Sequence, residues 1–278
     1  MIKFIHQEFS GLHQAAFLLG LSSLLSQLLA LMRDRLLVSS FGTGINLDIY
    51  YAAFRIPDII FASIASFVSV TVLIPFLIER LEEGEELKAK RFMSIVFSAF
   101  CVVMVVVSAV LFFFVPSLSK LVAPGFDPAA RIQLIMLTRI LLLSPFLLGL
   151  SNLLGSVTQA YKKFFVYALS PILYNVGIII GIVFFFPYWG LSGLAYGVIL
   201  GALMHLLIQI PAIYKTGLLP RFTSAWNWQE LRQVIMISLP RTLALATDKI
   251  SILILVALAS LMATGAISIF NLSFNLQS

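Results

Sequence analysis

Ten ionisable side chains interrupt stretches of sequence that are otherwise apolar: Arg33, Asp34 and Arg35; Asp48, Arg55 and Asp58; Arg139; and Arg241, Asp248 and Lys249. A guanidinium forks onto two phosphate oxygens through parallel hydrogen bonds, so arginines in such surroundings suit the capture of a phosphorylated ligand. A carboxylate in the same setting either neutralises a cation or exchanges an ion or a proton.

Spacing sorts these groups. Arg55 and Asp58 are three apart and can pair on one helical face, with Asp48 two turns earlier on roughly the same side. Arg33 and Asp34 are adjacent and point about 100° apart on a helix. They are therefore not expected to satisfy each other; Asp34 should pair across to another helix, leaving Arg33 or Arg55 for an anion. The candidate substrate-binding residues are Arg33, Asp34, Arg55, Asp48 and Asp58. For Arg35, Arg139 and Arg241 a structural ion pair, or a side chain snorkelling from a helix end to the headgroups, is an equal alternative. Asp248 is a candidate ion-coupling site for a cation or a proton, or one half of a neutralised pair with Lys249.

Composition supplies the setting. Of 278 residues, 60% are hydrophobic and 11% charged, with a mean hydropathy of +1.05, beyond what a water-soluble core absorbs. Runs such as Ile95 to Val115 and Leu191 to Ile213 are long enough for a hydrocarbon core that takes roughly 20 helical residues to cross. A charge at its centre costs about 2.5 to 3.5 kcal/mol, so the ten groups must face protein or water. The net charge of +6 is spread over short loops instead of forming one stripe, which argues against nucleic acid. Cys101 stands alone, and His6, His13 and His205 have no metal-ligand spacing. Neither a phosphate-binding lysine loop nor a GxSxG nucleophile occurs, so no enzyme and no cofactor are expected.

The elements that must position the charges are helices, at about Gly11 to Ser40, Leu47 to Ile78, Arg91 to Val115, Arg131 to Tyr161, Phe164 to Phe186, Gly190 to Tyr214 and Leu231 to Met262. An eighth opens near Ala266. The apolar stretch Ala15 to Met32 is too long for a signal core and has no cleavage site, so it reads as a retained span. Basic residues from Arg80 to Arg91, with Lys162, Lys163, Lys215, Arg221 and Arg232, fall on the side of Lys3, which puts the N-terminus in the cytoplasm. The stretch Glu79 to Arg91 reads as a solvated loop or helical extension. Gly193, Gly197 and Gly201 on the sixth helix, and Gly177 and Gly181 on the fifth, form small-residue faces suited to close helix approach. Pro57, Pro75, Pro145, Pro171, Pro211 and Pro240 are expected to kink their spans. The eighth helix stops at Ser278, short of a crossing, so the sequence reads as incomplete.

From Ser22 to Asp58 the sequence resembles the lipid II flippase family (MurJ, also called MviN). The matching residues are the Arg33-Asp34 pair ending a helix, the Phe41, Gly42 and Gly44 turn, and Asp48, Arg55 and Pro57 on the next helix. Ala123-Pro124-Gly125-Phe126 matches a further element, and helix spacing fits as far as Pro240. The resemblance implies an all-α, polytopic membrane protein of the multidrug, oligosaccharidyl-lipid and polysaccharide exporter superfamily. The chain corresponds to the first lobe of a two-lobed helical bundle and the start of the second. Its parts are a cytoplasmic N-terminus (1–10), a six-helix lobe (11–214), a cytoplasmic linker (215–230) and the opening of the second lobe (231–278).

The function so implied is transfer of the undecaprenyl-diphosphate-linked peptidoglycan precursor across the bacterial inner membrane by alternating access. Arg33, and after it Arg55, would hold the diphosphate, with Asp34 orienting them. Some members carry a sodium site between the seventh helix and late helices of the second lobe, in which Asp248 is a candidate member; sodium, proton or membrane-potential coupling takes the place of a cofactor. Implied partners are the lipid-linked substrate, membrane lipids and cell-wall synthesis proteins. The chain departs from the pattern at Gln27, Phe61 and Asn275, where relatives carry arginines. A flippase for another lipid-linked saccharide, or a non-transporting cell-wall scaffold, is therefore an alternative.

Overall fold

The computed structural model describes residues 12–277; Lys3, His6 and the 1–10 segment lie outside the described residues. Thirteen α-helices are named here. They are α1 (Leu12–Phe41), α2 (Ile45–Ala53), α3 (Arg55–Ser63), α4 (Val70–Glu82), α5 (Glu86–Val122), α6 (Pro128–Leu141), α7 (Leu143–Ala160), α8 (Phe164–Ile180), α9 (Phe186–Trp189), α10 (Leu191–Leu207), α11 (Ile210–Tyr214), α12 (Trp228–Ala259) and α13 (Ala266–Gln277). The described residues contain no strand. Six helical stretches are long and apolar enough to cross a membrane, as expected for a multi-pass membrane protein.

Proline chemistry explains where the spans break. A proline at position i has no N–H for the carbonyl at i−4. Pro57 orphans Ala53, Pro145 orphans Leu141, and Pro211 orphans Leu207, and these three residues are the last of α2, α6 and α10. The expected single helix from Leu47 to Ile78 is accordingly α2, α3, a 3-10 turn (Ala65–Val68) and α4. Pro75, Pro116, Pro171 and Pro240 lie inside helices that continue past them. Pro187 follows a π turn, Gly181–Phe185, that joins α8 to α9. The Glu79 to Arg91 stretch is largely helical, reversing at Gly84 with φ +74° between α4 and α5.

Helix contacts follow the small residues. The glycine faces of α8 and α10 meet each other: a Cβ on Gly177 would lie 2.3 Å from Gly201 Cα, and one on Gly181 would lie 2.5 Å from Gly197 Cα. In lipid, where burying apolar surface gives little drive, such backbone approach is a main source of helix association. Beside this contact α1 packs along α8. The 218–227 connection has no regular structure and docks on α5, where Ser94 Oγ and Ser98 Oγ accept the backbone N–H groups of Arg221 (3.1 Å) and Thr223 (2.8 Å).

Candidate functional site

Arg33 and Arg55 come together. Although they sit on different helices, both line one cavity of about 160 Å³, together with Tyr50, Tyr51, Phe54, Asp58, Tyr174, Asn271 and Asn275. Arg33 also lines a wider groove of about 540 Å³ between α1 and α8, with Ser22, Ser26, Gln27 and Asn175. It thus stands where the two hollows meet.

Each guanidinium is held by a distant partner. Arg33 Nη1 donates to Asn175 Oδ1 at 3.1 Å, and Asn175 Nδ2 in turn donates to Ser26 Oγ at 3.2 Å. Arg55 Nη2 donates to Asn271 Oδ1 at 2.9 Å, while its Nε covers the Tyr51 carbonyl at 3.1 Å. Neither arginine has all its N–H groups engaged by these contacts, because a guanidinium carries five. The Tyr51 hydroxyl is buried in the same cavity without a hydrogen-bond partner. A buried polar group left unpaired costs about 1 to 3 kcal/mol.

The carboxylates differ from the expected pairing. Arg33 and Asp34 do satisfy each other: Nε and Nη2 of Arg33 reach Asp34 Oδ1 at 2.9 and 2.8 Å. The 100° separation of their Cβ atoms is overcome by the long arginine stem, which curls back along the helix. Asp34 also pairs across to another helix, as the spacing required, accepting from Asn275 Nδ2 at 3.0 Å. Arg55 and Asp58 form no ion pair within 4 Å among the described residues, because Arg55 begins α3 and turns back to the carbonyl exposed at the break. Asp48 faces away from the cavity, into the start of α13. Its Oδ2 accepts the Gly265 N–H at 2.7 Å, and Oδ1 accepts the Ser268 N–H at 2.7 Å.

The remaining charges scatter. Asp248 is half-exposed on α12, with Lys249 Nζ 3.5 Å from Oδ2, and is not among the residues lining the Arg33 cavity. Arg241 donates to Ser69 Oγ at 3.4 Å and to Thr71 Oγ1, tying α12 to the start of α4. Arg35 is exposed on α1. No group of three His, Cys, Asp or Glu among the described residues is arranged to hold a metal. Sequence reasoning missed the amides Asn175 and Asn271 and the tyrosines of the cavity; for Asn175 the available signal was its place as the one amide of the apolar helix α8.

One end of the bundle is tightly closed. Besides the Asp48 cap, Gly125 lies so close to α12 that a Cβ would be 2.0 Å from Ser260 O, and its N–H reaches Ser260 Oγ at 3.2 Å. Gly265, at φ +95°, lies against Thr43, where a Cβ would be 2.5 Å from the carbonyl oxygen. These contacts join the turns after α1, α5 and α12.

Comparison with known proteins agrees with this architecture. Residues 37–278 match the family model described as lipid II flippase MurJ; the match begins after Arg33 and Asp34 and takes in Asp48, Arg55 and Asp58. The "Probable lipid II flippase MurJ" of Buchnera aphidicola from Acyrthosiphon pisum is 30% identical over 253 residues, 90% of this chain and 50% of the relative. The lipid II flippase MurJ of Burkholderia cenocepacia is 27% identical over 257 residues, again 90% and 50%. The chain thus spans about half the length of the curated relatives it matches. A solved lipid II flippase MurJ in an inward closed conformation superposes with a TM-score of 0.77 at 21% identity, over 94% of this chain and 54% of that one. A MATE protein in complex with MaD3S gives 0.73 at 16% identity, over 99% and 62%; both likenesses concern the fold. With a family-model match over residues 37–278, most of its length, the chain belongs to the lipid II flippase MurJ family.

Proposed function

We propose that this chain forms the first lobe, with the opening of the second, of a transporter that moves the undecaprenyl-diphosphate-linked peptidoglycan precursor between leaflets of the bacterial inner membrane. The observation that carries this reading is the convergence of Arg33 and Arg55 on one cavity that also holds an unpartnered Tyr51 hydroxyl. Two cations, with donors remaining after their protein contacts, complement the two phosphates of such a lipid. The groove between α1 and α8 gives an approach to Arg33. Asp34 and Asn175 fix the guanidinium so that little ordering is needed on binding.

Alternating access requires one end to close while the other opens. The Asp48 cap, the Gly125–Ser260 contact and the Gly265–Thr43 contact all bind the turn end opposite the N-terminus of α1. With the N-terminus in the cytoplasm, as loop charge indicates, that end faces outward and is shut, and the α1–α8 groove faces the substrate's side of origin. Residues 215–230 then form a cytoplasmic linker, and those from 231 begin the second lobe. Asp248 is an ion-coupling candidate whose charge is shared with Lys249.

The test is rescue of cells depleted of their own flippase by the full-length protein. Arg33→Ala should abolish rescue at normal membrane level; rescue by that variant would remove Arg33 from the substrate site. A second reading, another lipid-linked saccharide as cargo, is favoured by Gln27 in the groove and Asn275 in the cavity, where relatives are expected to carry arginines. Transport of lipid II and of an O-antigen-type lipid compared in the same vesicles separates the two.

A further inference from the structure

Arg139 sits in α6, eight residues after Arg131 and so roughly 12 Å deeper along the helix axis. It borders a separate cleft of about 460 Å³ between α5 and the α6–α7 break, walled almost wholly by apolar side chains such as Val105, Phe113 and Phe146. Its Nε donates to Phe112 O at 3.2 Å. That carbonyl is free because its helical donor would be residue 116, a proline. The guanidinium also lies over the Phe112 ring, 4.6 Å from its centroid. One N–H and the ring face are thereby used, and Arg139 satisfies the carbonyl that Pro116 leaves open.

The rest of the charge has no partner among the described residues. Among the described residues no carboxylate lies within 4 Å of Arg139, and its Nη atoms make no hydrogen bond. The Ser108 hydroxyl in the same cleft is buried without a partner. Val105 and Phe113 are strongly exposed at 59% and 76%, so the cleft opens sideways on the face that a hydrophobic helix turns to lipid. A cation there, beside an apolar trough, is complemented by a molecule that has an anionic head and a hydrocarbon tail.

We propose that the cleft around Arg139 seats one anionic glycerophospholipid of the surrounding membrane, its phosphate on the guanidinium and an acyl chain against α5. Bound there, the lipid braces the α6–α7 break against α5. This site is distinct from the Arg33 cavity and does not depend on the cargo.

The test uses the full-length protein reconstituted in nanodiscs of mixed phosphatidylglycerol and phosphatidylcholine, then extracted and analysed by native mass spectrometry for retained lipid. The wild type should retain phosphatidylglycerol about tenfold over phosphatidylcholine, a ratio typical of one charge-assisted contact, and Arg139→Gln should remove the preference. Val105→Trp, which fills the trough and leaves Arg139 in place, should release the lipid without lowering the melting temperature of the lipid-free protein. A photo-crosslinker at Phe113 should label lipid. Equal retention in wild type and Arg139→Gln, or a Phe113 crosslink to another part of the protein, would overturn the proposal.

Discussion

Asp48 Oδ1 accepts both the backbone N–H of Ser268, at 2.7 Å, and its hydroxyl, at 2.5 Å, while Oδ2 takes the N–H of Gly265. A carboxylate on the second span therefore caps a helix 220 residues away in sequence. The first N–H groups of a helix have no partners of their own and carry partial positive charge, so a buried anion stabilises them strongly and fixes where α13 begins.

Removing that cap should loosen the closed end. N-cap loss costs about 0.5 to 2 kcal/mol, and this cap is buried, which places Asp48→Ala at the upper part of that range. In the full-length protein, a cysteine at Thr43 should react several-fold faster with an impermeant maleimide in Asp48→Ala than in wild type. Unchanged labelling would mean that the Gly125–Ser260 and Gly265–Thr43 contacts hold this end closed without the cap.

The glycine contact between α8 and α10 permits a sharper test. A side chain on Gly197 meets Gly181 Cα at 2.4 Å, backbone against backbone, whereas Gly20 has nothing within 4 Å. Gly197→Val should lower the detergent melting temperature by several degrees and cut membrane yield, since overpacking typically costs about 1 to 3 kcal/mol. Gly20→Ala should match wild type. Comparable melting of both variants would remove the contact from the folding argument.

Much of this architecture was legible before any coordinates. Length and hydropathy mark the spans, and the small-residue repeats mark the two helices that touch. The prolines were only half readable: Pro57, Pro145 and Pro211 end helices, whereas Pro75, Pro116, Pro171 and Pro240 lie inside helices that continue, and at Pro116 Arg139 from another helix satisfies the carbonyl it frees. Side-chain pairing was less readable still. The i, i+3 rule favoured Arg55 with Asp58, yet the backbone break at Phe54 exposes the Tyr51 carbonyl and draws Arg55 back to it. The amides Asn175, Asn271 and Asn275 that complete the site lie more than a hundred residues from their partners, and spacing along the chain carries no trace of them.

Fixing of Arg33 by Asn175 predicts a graded response at that position. Arg33→Lys keeps the charge but loses the planar fork, so rescue by the full-length protein should fall while some remains, whereas Arg33→Gln should give none. Asn175→Leu leaves both Arg33 Nη1 and Ser26 Oγ without their partner and should lower the rate of transport in vesicles by about tenfold, the effect of roughly 1.4 kcal/mol. Equal activity of Arg33→Lys and wild type would show that charge alone, without bidentate geometry, is what the site uses.

Asn275 offers a gain-of-binding test. It lines the cavity with Arg33 and Arg55 and donates to Asp34 Oδ2, the oxygen that Arg33 does not use. An arginine in its place can fork onto Asp34 and divide that carboxylate between two cations, so that more of the Arg33 charge is left for an incoming phosphate. Asn275→Arg in the full-length protein should bind undecaprenyl diphosphate in nanodiscs about tenfold more tightly than wild type, with a steeper loss of affinity as salt is raised. Asn275→Leu, which leaves Asp34 to Arg33 alone, should bind more weakly than wild type. If the arginine variant binds no better while Arg33→Gln still binds worse, then the number of cations around the cavity does not set its affinity, and the placement of Arg33 by Asp34 and Asn175 does.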